Sequence, residues 1–198
     1  MGFGKCRLQR IKKDAGTIFS PAMYLVLFLL VTQLLLIFVE YRRVSWVSTY
    51  VTNGMTDALL GACTLNEEEL LSYGKRDDIE IRYPAEKYQM FKKILTEELG
   101  LNGDMKVGSN TIPLLKGAVE VTDFRIYSVH QNGVTYYDFD GAGGYTTKTL
   151  DQTNGVLTLE NGVLVEDTAM MAEIAFTVDF LGFPMKVKKY HLVDVARN

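Results

Sequence analysis

One stretch constrains this chain more than any other: between Gly16 and Val39 there is no charged residue. From Ala22 to Val39 it is almost wholly Leu, Val, Phe, Ile, Met and Tyr. Crossing about 30 Å of hydrocarbon as a helix takes about 20 such residues, so the run predicts a transmembrane helix over 17–40. Its one polar pair is Thr32-Gln33. A threonine hydroxyl can bond back to its own helix and a glutamine can face a protein neighbour, which makes these two the expected contacts with other stems. A cleaved secretory signal is the competing reading. Its apolar region would be about 7–15 residues long and would end at a small-x-small site. Here the run is longer and Glu40-Tyr-Arg-Arg43 follows it, so a retained anchor is expected.

The charges flanking this run set an orientation. Residues 1–16 carry five bases (Lys5, Arg7, Arg10, Lys12, Lys13) against one acid, Asp14. The chain holds 21 bases and 24 acids, so the remainder keeps 16 against 23. Only Arg42 and Arg43 follow the run directly. Positive residues stay in the cytoplasm, which predicts a cytoplasmic leader over 1–16 and an extracytoplasmic body over 41–198. The acidic body excludes nucleic-acid binding, which needs Lys and Arg clustered on one surface. Cys6 and Cys63 lie on opposite sides of the predicted span, so they cannot pair with each other. With no CxxC motif, structural zinc and dithiol chemistry are excluded too. Cys63 reads as a small core residue, the other reading being a bond to a partner chain.

The body reads as α+β. Val44, Val47, Val51, Met55, Ala58, Leu59 and Ala62 recur at steps of three and four, which continues the span as an amphipathic stem over 41–62. Thr64-Leu-Asn-Glu67 has the form of a capping box and starts a short helical stretch to Tyr73, within a helical region over 64–100. Pro84 begins a further helix with a Tyr88, Phe91, Ile94, Leu95, Leu99 stripe, and Gly100 ends it. Over 117–196 the period becomes two. Asn132-Gly133 and Asn161-Gly162 mark hairpins, and Ile174 to Phe180 turns at Leu181-Gly182 and returns through Met185. Helices first and strands later predict an antiparallel sheet laid on helices.

No catalytic constellation is present, and no cofactor or small-molecule substrate site is evident. His130 and His191 have no acid or Cys at ligand spacing, and no Gly-x-Ser-x-Gly elbow occurs. Asp138-Phe-Asp140-Gly-Ala-Gly-Gly144 looks like a fragment of a calcium loop, making Asp138 and Asp140 the metal candidates. A full loop needs more ligands and a bidentate acid near position 12, for which Asp151 is poorly placed, so a connection between strands is expected. The same glycines lack the Gly-Lys-Ser/Thr ending of a phosphate loop.

The leader Lys12-Lys-Asp-Ala-Gly16, the uncharged helix and its amphipathic continuation through Glu40-Tyr-Arg-Arg43 to Ala62 resemble type IV pilins. Together with the stretch from Gly155 to Val195, above all Glu160-Asn-Gly-Val-Leu-Val165 and Ala172-Glu-Ile-Ala-Phe-Thr-Val178, they are most similar to the TadE/TadF-like minor pseudopilins of the Gram-positive tight-adherence (Flp) pilus system. The resemblance covers about half of the chain. It implies a leader cut after Gly16, stems that assemble side by side, and partners among pilin-like subunits or secretion-platform proteins at the cell surface. The chain departs from the family at one place. The Glu that pilins carry five residues past the cut is Pro21 here, and no acid occurs before Glu40. The expected function is non-enzymatic assembly; the alternative is a membrane-anchored extracytoplasmic binding or sensor module.

Overall fold

The computed structural model describes residues 4–64, 81–108, 111–112, 114–130, 133–140, 143–151, 157–159 and 162–195, with 4–20 described by backbone alone. The chain divides into two compact units, Met1–Arg43 and Val44–Asn198.

Helix α1 runs over Gly4–Ala62 with Pro21 inside it. A chain cut after Gly16 would place Pro21 in a first turn, where its missing N–H costs little; in the uncut chain it interrupts the ladder instead. Every residue over 21–39 is exposed. In the second unit the stripe turns inward: Val47, Val51, Met55, Ala58, Leu59 and Ala62 are buried, and Val44 packs beside them. The short stretch expected over 67–73 lies outside the described residues.

Helix α2, Pro84–Glu98, begins with proline in its first turn and buries Tyr88, Phe91 and Leu95. Its end is a Schellman turn. Gly100 takes φ +62°, its N–H donates to the Glu97 carbonyl, and the Leu101 N–H reaches back to the Thr96 carbonyl. Those bonds satisfy carbonyls that the helix leaves without partners, and a glycine is what the left-handed position favours. α2 lies antiparallel to the stem. The Tyr50 hydroxyl donates to the Glu98 carbonyl at 2.6 Å, and at the opposite end the buried Lys87 ammonium donates to the Thr64 carbonyl.

The sheet has five antiparallel strands: β1 (Leu115–His130), β2 (Gly133–Phe139), β3 (Tyr145–Asp151), β6 (Ala169–Phe180) and β7 (Phe183–Asp194). Their order is β3-β2-β1-β6-β7, which leaves β3 and β7 as edges. β4 (Leu157–Thr158) and β5 (Leu164–Val165) form a separate two-stranded hairpin. His130 stands opposite Gly133, so the two runs pair as a hairpin, but Gly133 opens β2 and is not itself in the turn; Asn132 lies outside the described residues. At Gly117, with φ +72°, β1 leaves its register with β6. There it bonds the 105–107 segment instead, Val107 N–H to the Gly117 carbonyl and Val119 N–H to that of Met105.

One face of the sheet packs on the stem and α2, with the rings of Tyr88, Phe91, Phe124 and Phe139 in contact at centroid separations of 5.0–5.4 Å. The sequence reading laid the sheet on helices and assigned nothing to its other face. In the structure part of that second face is also covered. Leu157 and Val165 of the small hairpin pack with Tyr127, Val134, Ala169 and Met171 in a second apolar cluster.

Candidate functional site: an apolar stem and a charged sheet face

The stem is the most distinctive surface. Met23 to Val39 exposes large apolar side chains at every position but Thr32 and Gln33, and Phe28, the most open of them, is 70% accessible. Such an area far exceeds the few hundred Å² of contiguous apolar surface that soluble monomers tolerate. α1 is long and apolar enough to cross a membrane. Within it, the Thr32 hydroxyl donates to the Phe28 carbonyl at 2.8 Å, which satisfies it inside its own helix. Gln33 is exposed, and its amide is therefore the group of the pair that can reach another chain. Beyond the run, Arg43 pairs with Glu40 one turn back, at 2.6 Å. Trp46 stands 57% exposed on the stem and stacks on Tyr50 at 5.9 Å.

The two metal candidates have different tasks. Arg125 of β1 is opposite Asp138 of β2, and its guanidinium lies 3.5 Å from Asp138 and 3.1 Å from Asp123. Asp140 closes the β2–β3 connection: its carboxylate accepts the Gly144 N–H at 2.8 Å. A Cβ on Gly144 would sit 2.8 Å from that same carboxylate, so a larger residue there would displace the Asp140 side chain from this bond. Among the described residues no three His, Cys, Asp or Glu side chains converge as a metal site would need. His130 ends β1 and His191 sits in β7 opposite Ala172.

The electrostatics of the sheet face are set by burial. Desolvation pushes the Asp123 carboxyl above its usual range; Arg125 opposes this, and Asp138 and Glu173 reinforce it. Tyr127, buried beside them, is likewise raised by desolvation. Glu173 moves the other way, held down by hydrogen bonds from Lys188 at 2.8 Å and Thr122 at 2.6 Å. Cys63 is buried at the end of the stem, and burial pushes its thiol up to about 12, against the pull of Lys87. A thiol so placed is a poor nucleophile, because the thiolate is the reactive form.

Between α2 and β1 an open cleft of about 560 Å³ is lined by Tyr88, Lys92, Met105, Lys106 and Glu120, among others. Its charges already have company: Lys92 lies over the Tyr88 ring at 5.5 Å and Lys186 pairs with Glu120 at 2.7 Å. Compared with known protein families, characterised proteins and solved structures, the chain matches none.

Proposed function

We propose that this chain is a membrane-anchored, pilin-like assembly subunit of a tight-adherence-type pilus or secretion apparatus, with no enzymatic role. Its leader is cytoplasmic, its span crosses the cell membrane once, and its α+β body stands outside. The observation that carries this reading is the continuity of α1. One helix exposes apolar side chains on all its described residues over 21–39 and then buries a single stripe from Val47 to Ala62 in the body's core. A simple tether can be joined to its body through a loose linker. Here a single helix supplies both the apolar stem and the core stripe of the body, the build that an assembly subunit uses. The partners are other pilin-like stems or platform proteins.

The rival reading, a tethered extracytoplasmic binding or sensor module, draws on the cleft between α2 and β1. Exchanging residues 17–39 for an unrelated transmembrane helix of equal length separates the two. Loss of pilus or secretion function in cells, with the chain still inserted and folded, is the expected result. Full function with the foreign helix would favour the tethered module.

A further inference from the structure

The β6–β7 hairpin carries an arrangement that neither stability nor solubility explains. Its turn is Leu181-Gly182, with φ of +53° and +82°. Positive φ at both central residues is the primed turn that suits hairpins, and Asn or Gly normally holds the first of them. Leucine there is strained and gains no burial, being 47% exposed. Phe183 beside it is 72% exposed, Pro184 is exposed, and Met185 is 44% exposed. Four bulky apolar or ring side chains within five residues of a solvent-facing tip, Leu181 and Phe183 to Met185, are a costly surface for a free hairpin.

The position of this tip identifies what covers it. The chain enters the body at Val44, with Glu40 to Arg43 between it and the end of the apolar run at Val39. Tyr50, less than two turns further on, bonds Glu98 at the end of α2. Thr111 then donates to the Gly100 carbonyl at 2.7 Å, and the Asp179 N–H reaches the Leu114 carbonyl. This chain of contacts puts the tip at the same end of the body as Val44. The lengths agree. Tyr88 meets Phe124, which stands opposite Ala172. From Ala172 to its turn β6 extends about 30 Å, whereas α2 continues from Tyr88 to Leu99 for only about 16 Å. The tip therefore overhangs the end of α2 on the side where the body is tethered.

We infer that the Leu181–Met185 hairpin tip inserts into the interfacial zone of the bilayer and gives the body a membrane contact of its own, in addition to the anchor. This rests on the membrane reading of α1. Two further features fit a bilayer surface. Trp46 and Tyr50 sit on the stem at the same end, where interfacial aromatics belong. Lys116, Lys186 and Lys188 flank the base of the hairpin, the charge that anionic headgroups attract. The ion pairs of Lys186 with Glu120 and of Lys188 with Glu173 are solvent-exposed and leave those ammonium groups within reach of a headgroup.

The test uses the full chain in vesicles of phosphatidylcholine and phosphatidylglycerol, in a Cys6→Ser background with the buried Cys63 left in place. Spin labels are attached at Leu181→Cys, Phe183→Cys, Leu30→Cys in the span, and Leu164→Cys, an exposed apolar residue of β5 at the other end of the body. Collision with oxygen, which favours lipid, is compared with collision with a water-soluble nickel chelate. The expected result is an oxygen-to-nickel ratio that is high at Leu30, Leu181 and Phe183 and inverts at Leu164. A high ratio at Leu30 with a low one at Phe183 would overturn the hairpin contact and leave the anchor standing. Shielding of Phe183 from both reagents would overturn it in favour of a protein partner or a second copy. A low ratio at Leu30 would overturn the anchor and the hairpin contact together.

Discussion

A Cβ built on Gly54 would stand 2.9 Å from Leu99 Cδ2, so the stem and α2 touch where the stem has no side chain. The same contact recurs two turns on, where a Cβ on Gly61 would overlap Ile94 Cδ1. Glycine in mid-helix normally costs about 1 kcal/mol relative to alanine. Here that cost is accepted because the two helices approach closely.

The glycine pair gives opposite expectations for the same substitution. Leu99 is fully buried, so Gly54→Ala forces movement in a packed core, and overpacking costs about 1–3 kcal/mol. Ile94 is only half-buried and can rotate away, so Gly61→Ala recovers most of its gain in helix propensity and stays near neutral. Denaturant unfolding of the detergent-solubilised chain checks both. Equal costs at the two sites would show that the local freedom of Leu99 and Ile94 is not what matters.

Cys63 is expected to resist maleimide at pH 8 in the folded protein and to react fully once unfolded, because burial both blocks access and pushes its pKa to about 12. Mass spectrometry of labelled native and denatured samples reads this directly. Rapid native labelling would place the thiol at a surface available to a partner.

Two carboxylates on the sheet give stability opposite dependences on pH. The folded pKa of Asp123 is raised, so its favourable contribution is full below the ordinary value near 4 and is lost as pH rises through the raised one. Asp123→Asn therefore stabilises or is neutral at pH 7, and any gain fades in acid. The folded pKa of Glu173 is lowered, so its contribution is full above the ordinary value and is lost as pH falls through the lowered one. Glu173→Gln costs about 0–1 kcal/mol at neutral pH, since Lys188 is largely exposed, and nothing in strong acid. Thermal unfolding of both variants between pH 3 and 7 tests the signs.

Gln33→Leu addresses the stem. Inter-helix hydrogen bonds in bilayers contribute about 0.6–2 kcal/mol each. The substitution is expected to weaken assembly while leaving membrane insertion and the folded body intact. Thr32→Val is expected to do less, because the Thr32 hydroxyl already bonds the Phe28 carbonyl. Co-purification of tagged and untagged copies from membranes measures both; a larger loss with Thr32→Val would reverse the assignment.

Much of the architecture is written in local pattern. The uncharged run over 16–39, the stripe from Val44 to Ala62, proline and glycine bracketing α2, and Gly133 at its hairpin each follow from periodicity or from the conformational limits of one residue. Chemistry of this kind depends on neighbours within a few positions, so one sequence carries it. The candidate site divides the same way: the apolar stem with Thr32 and Gln33 is legible, and the hairpin tip is legible only as a turn.

The tertiary structure decided what depends on residues far apart in the chain. Nothing local places β6 between β1 and β7, or sets Thr122 against Glu173 across 51 positions. Asp138 looked like a metal ligand because its immediate neighbours are Asp140 and glycines, but the partner that occupies it, Arg125, comes from the adjacent strand. The second apolar cluster exists because β4 and β5 fold back over Tyr127 and Met171, which alternation alone marks as outward-facing. Gly54 and Gly61 read as weak points of a helix until α2 is laid against them. Packing energy belongs to pairs of surfaces, and a periodic pattern shows one surface without naming the other.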